Sequence, residues 1–110
     1  MKKLGNLVED RWVEGGGEGT TLYNAITGES IYSTSTQGVD IAKMYHYARK
    51  TGGHTLRKMT FQERGRMLKA LALHLHSKKD SFYKTSAATG ATKVDSWIDI
   101  EGGIGNLFAN

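Results

Sequence analysis

The sequence predicts a small α+β chain, with a β-hairpin region over residues 1–37 and about four helices over residues 38–110. Three observations lead there. Short, turn-separated runs with β-favouring residues fill the first forty positions, apolar residues fall at helical spacing from Asp40 onward, and helix-start signatures stand at Thr60, Ser77 and Thr92. A length of 110 residues allows one domain at most.

The strands are expected at Arg11-Trp12-Val13, Thr20-Thr21-Leu22-Tyr23 and Ser30-Ile31-Tyr32-Ser33. Gly15-Gly16-Gly17-Glu18-Gly19 reads as a flexible tip between the first two. Asn24-Ala25-Ile26-Thr27-Gly28-Glu29 reads as the turn between the last two, with Gly28 free to take positive φ. Two or three such strands do not make a stable sheet alone and must pack on something else. Past Gly38, Ile41, Tyr45 and Ala48 share a helical face, Asp40 suits the first turn, and Gly52-Gly53 is expected to stop the run.

Thr60-Phe61-Gln62-Glu63 is a capping box, since hydroxyl and carboxylate can each satisfy an orphan amide. The stripe Phe61, Leu68, Leu71 and Leu75, widened by Met67 and Ala72, carries that helix to residue 77, and Gly65 inside it costs about 1 kcal/mol relative to alanine. Ser77-Lys78-Lys79-Asp80 opens a third helix through Phe82 and Tyr83 to near Gly90. Thr92-Lys93-Val94-Asp95 opens a fourth through Trp97, Ile98, Ile100, Ile104, Leu107 and Phe108. No C-cap follows, so the chain reads as cut within that helix.

Composition narrows the chemistry. There is no cysteine, which excludes a disulfide framework, a thiolate zinc site and a cysteine nucleophile from these residues. There is no proline, where average usage would give about five or six. The start, Met1 to Asp10, is basic but meets acidic residues before an apolar run builds, unlike a signal peptide. No stretch approaches a membrane span, and the cytoplasm is the expected location.

Charge is uneven. Residues 41–79 carry ten Lys and Arg against Glu63 alone, while the segments on either side are net acidic. With Tyr45, Tyr47 and Phe61 nearby, that segment is the main rival signal, a basic helical module for nucleic acid or a partner protein. Its charges are spread round two helices, Arg64 and Arg66 lie on different faces, and no nucleic-acid motif accompanies them, so an acidic protein surface is favoured over nucleic acid.

The other constellations are weak. His74 and His76, two apart on a helix, point about 200° apart and cannot share an ion, and His46 and His54 add no ligand spacing. Gly15–Gly19 and Gly102-Gly103-Ile104-Gly105 lack the strand-to-helix context of a phosphate cradle; close helix packing better accounts for the second run. Asp95, Asp99 and Glu101 read as a solvated acidic face near a helix start rather than an acid–base cluster.

In order, Trp12-Val13, the Asn24–Glu29 turn, the Asp40 helix, Phe61-Gln62-Glu63-Arg64 and Thr89-Gly90 resemble the amino-terminal segment of the aldehyde dehydrogenase superfamily. Ala25 stands where ordinary members carry proline, and Ala91 where they carry lysine. Both departures, with the run Ala88 to Gly105, Met59–Arg64 and Met67–Ala70, resemble the bifunctional phenylacetate-degradation branch. The resemblance covers nearly the whole chain and is weakest over residues 1–20.

That resemblance implies a longer α/β parent, an NADP-dependent aldehyde dehydrogenase fused to a hot-dog-fold hydratase domain. The parent opens the ring of oxepin-CoA and oxidises the resulting CoA-linked semialdehyde through a cysteine thiolate, hydride transfer to the nicotinamide and a glutamate-activated water. Residues 1–110 would then be part of the coenzyme-binding domain, with helices that flank a sheet supplied elsewhere. No residue here matches a catalytic, cofactor-binding or metal motif, so none is assigned and no cofactor is expected on this chain. Its expected partners are the remainder of the polypeptide and, in the parent, further subunits; a membrane is not among them. The chain alone is expected to be inactive.

Overall fold

A computed structural model describes residues 2–109 and divides the chain into two compact units, 1–58 and 59–110. The first unit holds five strands and one interrupted helix, the second three helices. The α+β expectation and its order, strands before helices, both hold.

In the first unit, β1 (Lys2–Lys3), β4 (Thr20–Tyr23) and β5 (Ser30–Thr34) form a sheet of order β1-β5-β4, with β1 parallel and β4 antiparallel to β5. The turn from β4 to β5 is built as the sequence predicts. The Asn24 side-chain oxygen accepts from the amides of Ile26 (2.8 Å) and Thr27 (3.1 Å), and Gly28 takes φ 77°.

Arg11–Val13 (β3) does not pair with β4, contrary to expectation. It pairs antiparallel with Asn6–Val8 (β2) through a two-residue turn at Glu9-Asp10, whose φ values of 49° and 64° are those of a type I′ turn. Glu-Asp is a poor I′ sequence beside Asn-Gly, which is why this hairpin is hard to see in the residues.

The glycine run is also not a flexible tip. Gly16 donates its amide to Gln37 O (2.9 Å), Ser35 Oγ donates to Gly16 O (2.7 Å), and Lys3 Nζ donates to Gly17 O (2.9 Å). The run is a connector laid against residues 34–37. Its glycines are demanded by that approach, since a Cβ at Gly15 would strike the Ser35 carbonyl and one at Gly19 the Thr34 carbonyl. Asn6 ties the same place together, donating to Val13 O (3.1 Å) and Ser35 O (2.8 Å).

Asp40 caps α1 (Ile41–Tyr47), its carboxylate accepting from the Lys43 amide at 3.0 Å. Gly52-Gly53 does not stop this helix. The chain widens into a π-turn over Ala48–Gly52, where the Gly53 amide reaches back to Ala48 O, and continues as α2 (Gly53–Lys58) with Gly53 at helical φ −62°. Helical φ and ψ cost glycine entropy but no strain, so the pair extends the helix rather than capping it. No residue of Ile41–Lys58 is buried.

In the second unit, α3 (Phe61–Ser77) starts on the expected capping box. Thr60 Oγ1 accepts from the Glu63 amide at 3.1 Å and Glu63 Oε2 from the Thr60 amide at 3.2 Å. Ser77 does not cap α4 (Lys79–Ala88); its hydroxyl donates back to His74 O, and Lys78 takes the cap position without a side-chain bond. Helix α4 closes at Thr89 with Gly90 at φ 88°, as expected, and α5 (Lys93–Ala109) opens with Thr92 Oγ1 accepting from the Asp95 amide.

Helix α5 packs against both α3 and α4. Ala72, Ser96 and Ile104 are buried there, and Leu68, Leu75 and Ile100 half-buried. The α3 stripe is covered on one side only, for Phe61, Met67 and Leu71 remain exposed. Nor do Gly102, Gly103 and Gly105 serve close packing: a Cβ at any of them would meet no atom within 4 Å.

These contacts set an expected order of mutational effects in urea denaturation. Gly15→Ala must displace the Ser35 backbone and is expected to cost about 1–3 kcal/mol, whereas Gly105→Ala, with open space and helical backbone, is expected to stabilise by up to about 1 kcal/mol. Equal effects at the two sites would contradict the connector geometry.

Candidate functional site

The α4–α5 pair holds the densest polar cluster in the second unit. The two helices run back past each other from the 89–92 loop, which sets Lys79 and Tyr83 opposite Glu101 and Ser86 opposite Ser96. Lys79 Nζ lies 3.2 Å from Glu101 Oε1, Tyr83 Oη donates to Glu101 Oε2 at 2.8 Å, and the Ser86 and Ser96 hydroxyls share a 2.7 Å bond. A groove of about 580 Å³ opens beside them, walled by Lys79, Tyr83, Ala87, Trp97 and Glu101.

The electrostatics of the cluster oppose acid–base work near neutral pH. Partial desolvation of the Tyr83 ring, then its bond to Glu101 and the nearby Glu101 and Asp80 charges, push the phenol up to about 12. Glu101 moves the other way, held below the ordinary carboxylate range by the bonds from Tyr83 and then Lys79, against some desolvation. The phenol therefore stays protonated and the carboxylate ionised, where a general base or acid needs the opposite poise. What this arrangement does is clamp α4 to α5.

The carboxylate trio of the sequence is divided by this geometry. Glu101 faces α4, while Asp95 and Asp99 are exposed along α5. His46, His54, His74 and His76 are all exposed, and no group of three metal-ligating side chains comes together among the described residues. In the basic segment, Arg49 lies over the Tyr45 ring at 5.7 Å and donates to its hydroxyl at 3.2 Å, and Arg64 and Arg66 are exposed. Neither glycine run presents a phosphate cradle: Gly15–Gly19 is bonded to residues 35–37 and to Lys3, and Gly102–Gly105 lies within α5 rather than at its start.

The sequence reading missed the Lys79–Glu101–Tyr83 clamp. A signal existed, because a four-residue link between two helices forces residues equally distant from it into register. Counting outward from 89–92 sets Lys79 against Gly102, Tyr83 against Ile98 and Ser86 against Asp95, each within one helical turn of the observed partners Glu101 and Ser96.

The residues thus define a mixed α+β chain with a helical clamp and uncovered apolar stripes. No helix is long and apolar enough to cross a membrane among the described residues. No family model matches the chain. It is similar to the 3,4-dehydroadipyl-CoA semialdehyde dehydrogenase of Aromatoleum evansii, at 38% identity over 103 residues. The match takes in 93% of this chain and 20% of that dehydrogenase, so the chain spans about a fifth of its relative's length.

The clamp has a pH window. Glu101, with its pKa lowered by folding, contributes stability above the ordinary carboxylate range that is lost as pH falls through its folded pKa; Tyr83, with its pKa raised, contributes below about 10 and loses it as pH climbs toward about 12. Phenolate absorbance, read as the difference between the parent chain and Tyr83→Phe, is expected to show one tyrosine titrating near 12, and Glu101→Gln to bring it down. A Tyr83 titration near 10 in the unmutated chain would contradict the bond.

Proposed function

We propose that this chain is the amino-terminal scaffold segment of an aldehyde dehydrogenase that oxidises a CoA-linked semialdehyde. The observation that carries the reading is the similarity over 93% of the chain to a semialdehyde dehydrogenase about five times as long. In finer detail, the parent is the bifunctional, NADP-dependent enzyme of phenylacetate degradation, cytoplasmic and oligomeric, in which a fused domain opens oxepin-CoA before the oxidation. The run from Ala88 to Gly105 and the residues Ala25 and Ala91 support that branch.

The residues present do not fit a nicotinamide dinucleotide. Its pyrophosphate needs backbone amides converging at a helix start after a strand, and neither glycine run offers them. With no thiol, the chain also lacks the nucleophile the chemistry requires. Its role is to present helices: α3 and α5 each have one face covered within the unit and apolar side chains left over, as elements inside a larger fold do. The nucleic-acid form of the basic-module alternative is not favoured, since Arg64 and Arg66 are exposed on different faces and the cations of residues 41–79 form no single phosphate-binding stripe.

Two assays test the reading. The purified chain, given NADP and a series of aldehydes including a CoA-linked semialdehyde, is expected to produce no NADPH, and turnover would overturn its scaffold role. Co-expression with the Aromatoleum evansii dehydrogenase lacking its matched 103 residues is expected to restore activity that the shortened enzyme lacks. Failure of both soluble pieces to restore it would count against the reading.

A further inference from the structure

The helix from Ile41 to Lys58 is the least accounted-for element of the chain. It is long, it is capped, and none of its residues is buried, Met44 being its least exposed side chain. Its side chains are nonetheless sorted by face. Ile41, Tyr45, Ala48, Gly52 and Leu56 follow one another along one side, the π-turn keeping Leu56 in line with Ile41. Lys43, Lys50 and Lys58 lie on the far side, and Arg49 and Arg57 on its border. There is no acidic residue between Asp40 and Glu63.

The middle of the apolar side is concave. Ala48, Gly52 and Gly53 leave a notch of about 500 Å³, bounded by Leu56 and by the guanidinium-bearing side chains of Arg49 and Arg57. A Cβ at Gly52 would meet nothing within 4 Å, so this glycine is not required by anything the chain itself packs there, whereas at Gly53 the Arg57 guanidinium lies 3.3 Å from the Cβ position. A notch between two cations accepts a protruding apolar side chain with carboxylates on either side of it.

This shape separates the candidate occupants. A membrane-surface helix needs bulky apolar side chains to bury in lipid, and here the centre of the face is Ala and Gly. Nucleic acid would be met by the cationic side alone and would leave Ile41, Tyr45 and Leu56 uncovered. A protein segment satisfies both features, since close approach at small residues gives packing and flanking charge gives register.

We propose that the helix 41–58 is a docking element for an acidic protein segment, one that seats an apolar side chain in the Ala48–Gly52–Gly53 notch and sets Asp or Glu against Arg49 and Arg57. The inference concerns the chemistry of the partner and holds whether or not that partner belongs to a dehydrogenase.

Selection of a phage-displayed library of random peptides against the full chain tests it. Enrichment is expected for Leu, Ile or Phe flanked by Asp or Glu, and the best peptide is expected to lose at least about tenfold in affinity to Gly52→Leu and to Arg57→Glu. Gly52→Leu is the sharper variant, because it fills the notch while raising helix propensity, and circular dichroism checks that the helix persists. The proposal is overturned if no peptide is enriched, if the enriched peptides are neutral or basic, or if Gly52→Leu leaves their binding unchanged. It is equally overturned if equimolar phosphatidylserine–phosphatidylcholine vesicles or a random DNA duplex bind the chain more tightly than the best peptide.

Discussion

The structure is governed by how little apolar surface it removes from water. Among the described residues, the buried apolar side chains are Val8, Ala72 and Ile104, and no large side chain is fully enclosed. Two separate compact bodies of about 6 kDa would together expose about 7,300 Å²; this chain exposes 8462 Å². Burial stabilises a fold by roughly 25 cal/mol per Å² of apolar area, and here much of that term is left on the outside. Trp12, Phe61, Ile98 and Val94, each more than half exposed, show where.

What holds each unit is therefore mostly directional and local. In the first, Asn6 bridges two backbone carbonyls, Asn24 organises a turn, and the glycine connector lies against residues 34–37. In the second, the Thr60–Glu63 box starts α3 and the Lys79–Glu101–Tyr83 clamp fixes α4 on α5. Net contributions of such bonds run to about 1 kcal/mol each, enough to select a geometry without a core to enforce it. This division of labour suits a segment whose apolar stripes are completed by other parts of a larger protein.

The features written in short-range chemistry were legible in the sequence. The Asn24 turn, the Asp40 helix start, the capping box and the Gly90 stop depend on residues within four positions of one another, and all appear as expected. Features that depend on partners were not. The β2–β3 hairpin turns on Glu9-Asp10, whose positive φ values its residue types do not announce. In the sequence Gly52-Gly53 reads as a stop and Gly102–Gly105 as a packing surface, because glycine signals permission and not purpose; the backbone uses the first pair as helix and leaves the second run uncovered. The clamp required helix register, which only the loop length carries.

The deficit of buried apolar surface is open to one direct measurement, the urea dependence of unfolding of the isolated chain followed by circular dichroism. The slope of stability against denaturant scales with the surface newly exposed, and small compact domains give roughly 1–3 kcal/mol per molar urea. An unfolded chain of this mass exposes about 17,500 Å², so unfolding uncovers about 9,000 Å² here against about 11,500 Å² for a single compact body of the same size. A slope about a fifth below that of a compact 110-residue domain is expected. A slope equal to or above that of such a domain would contradict the account.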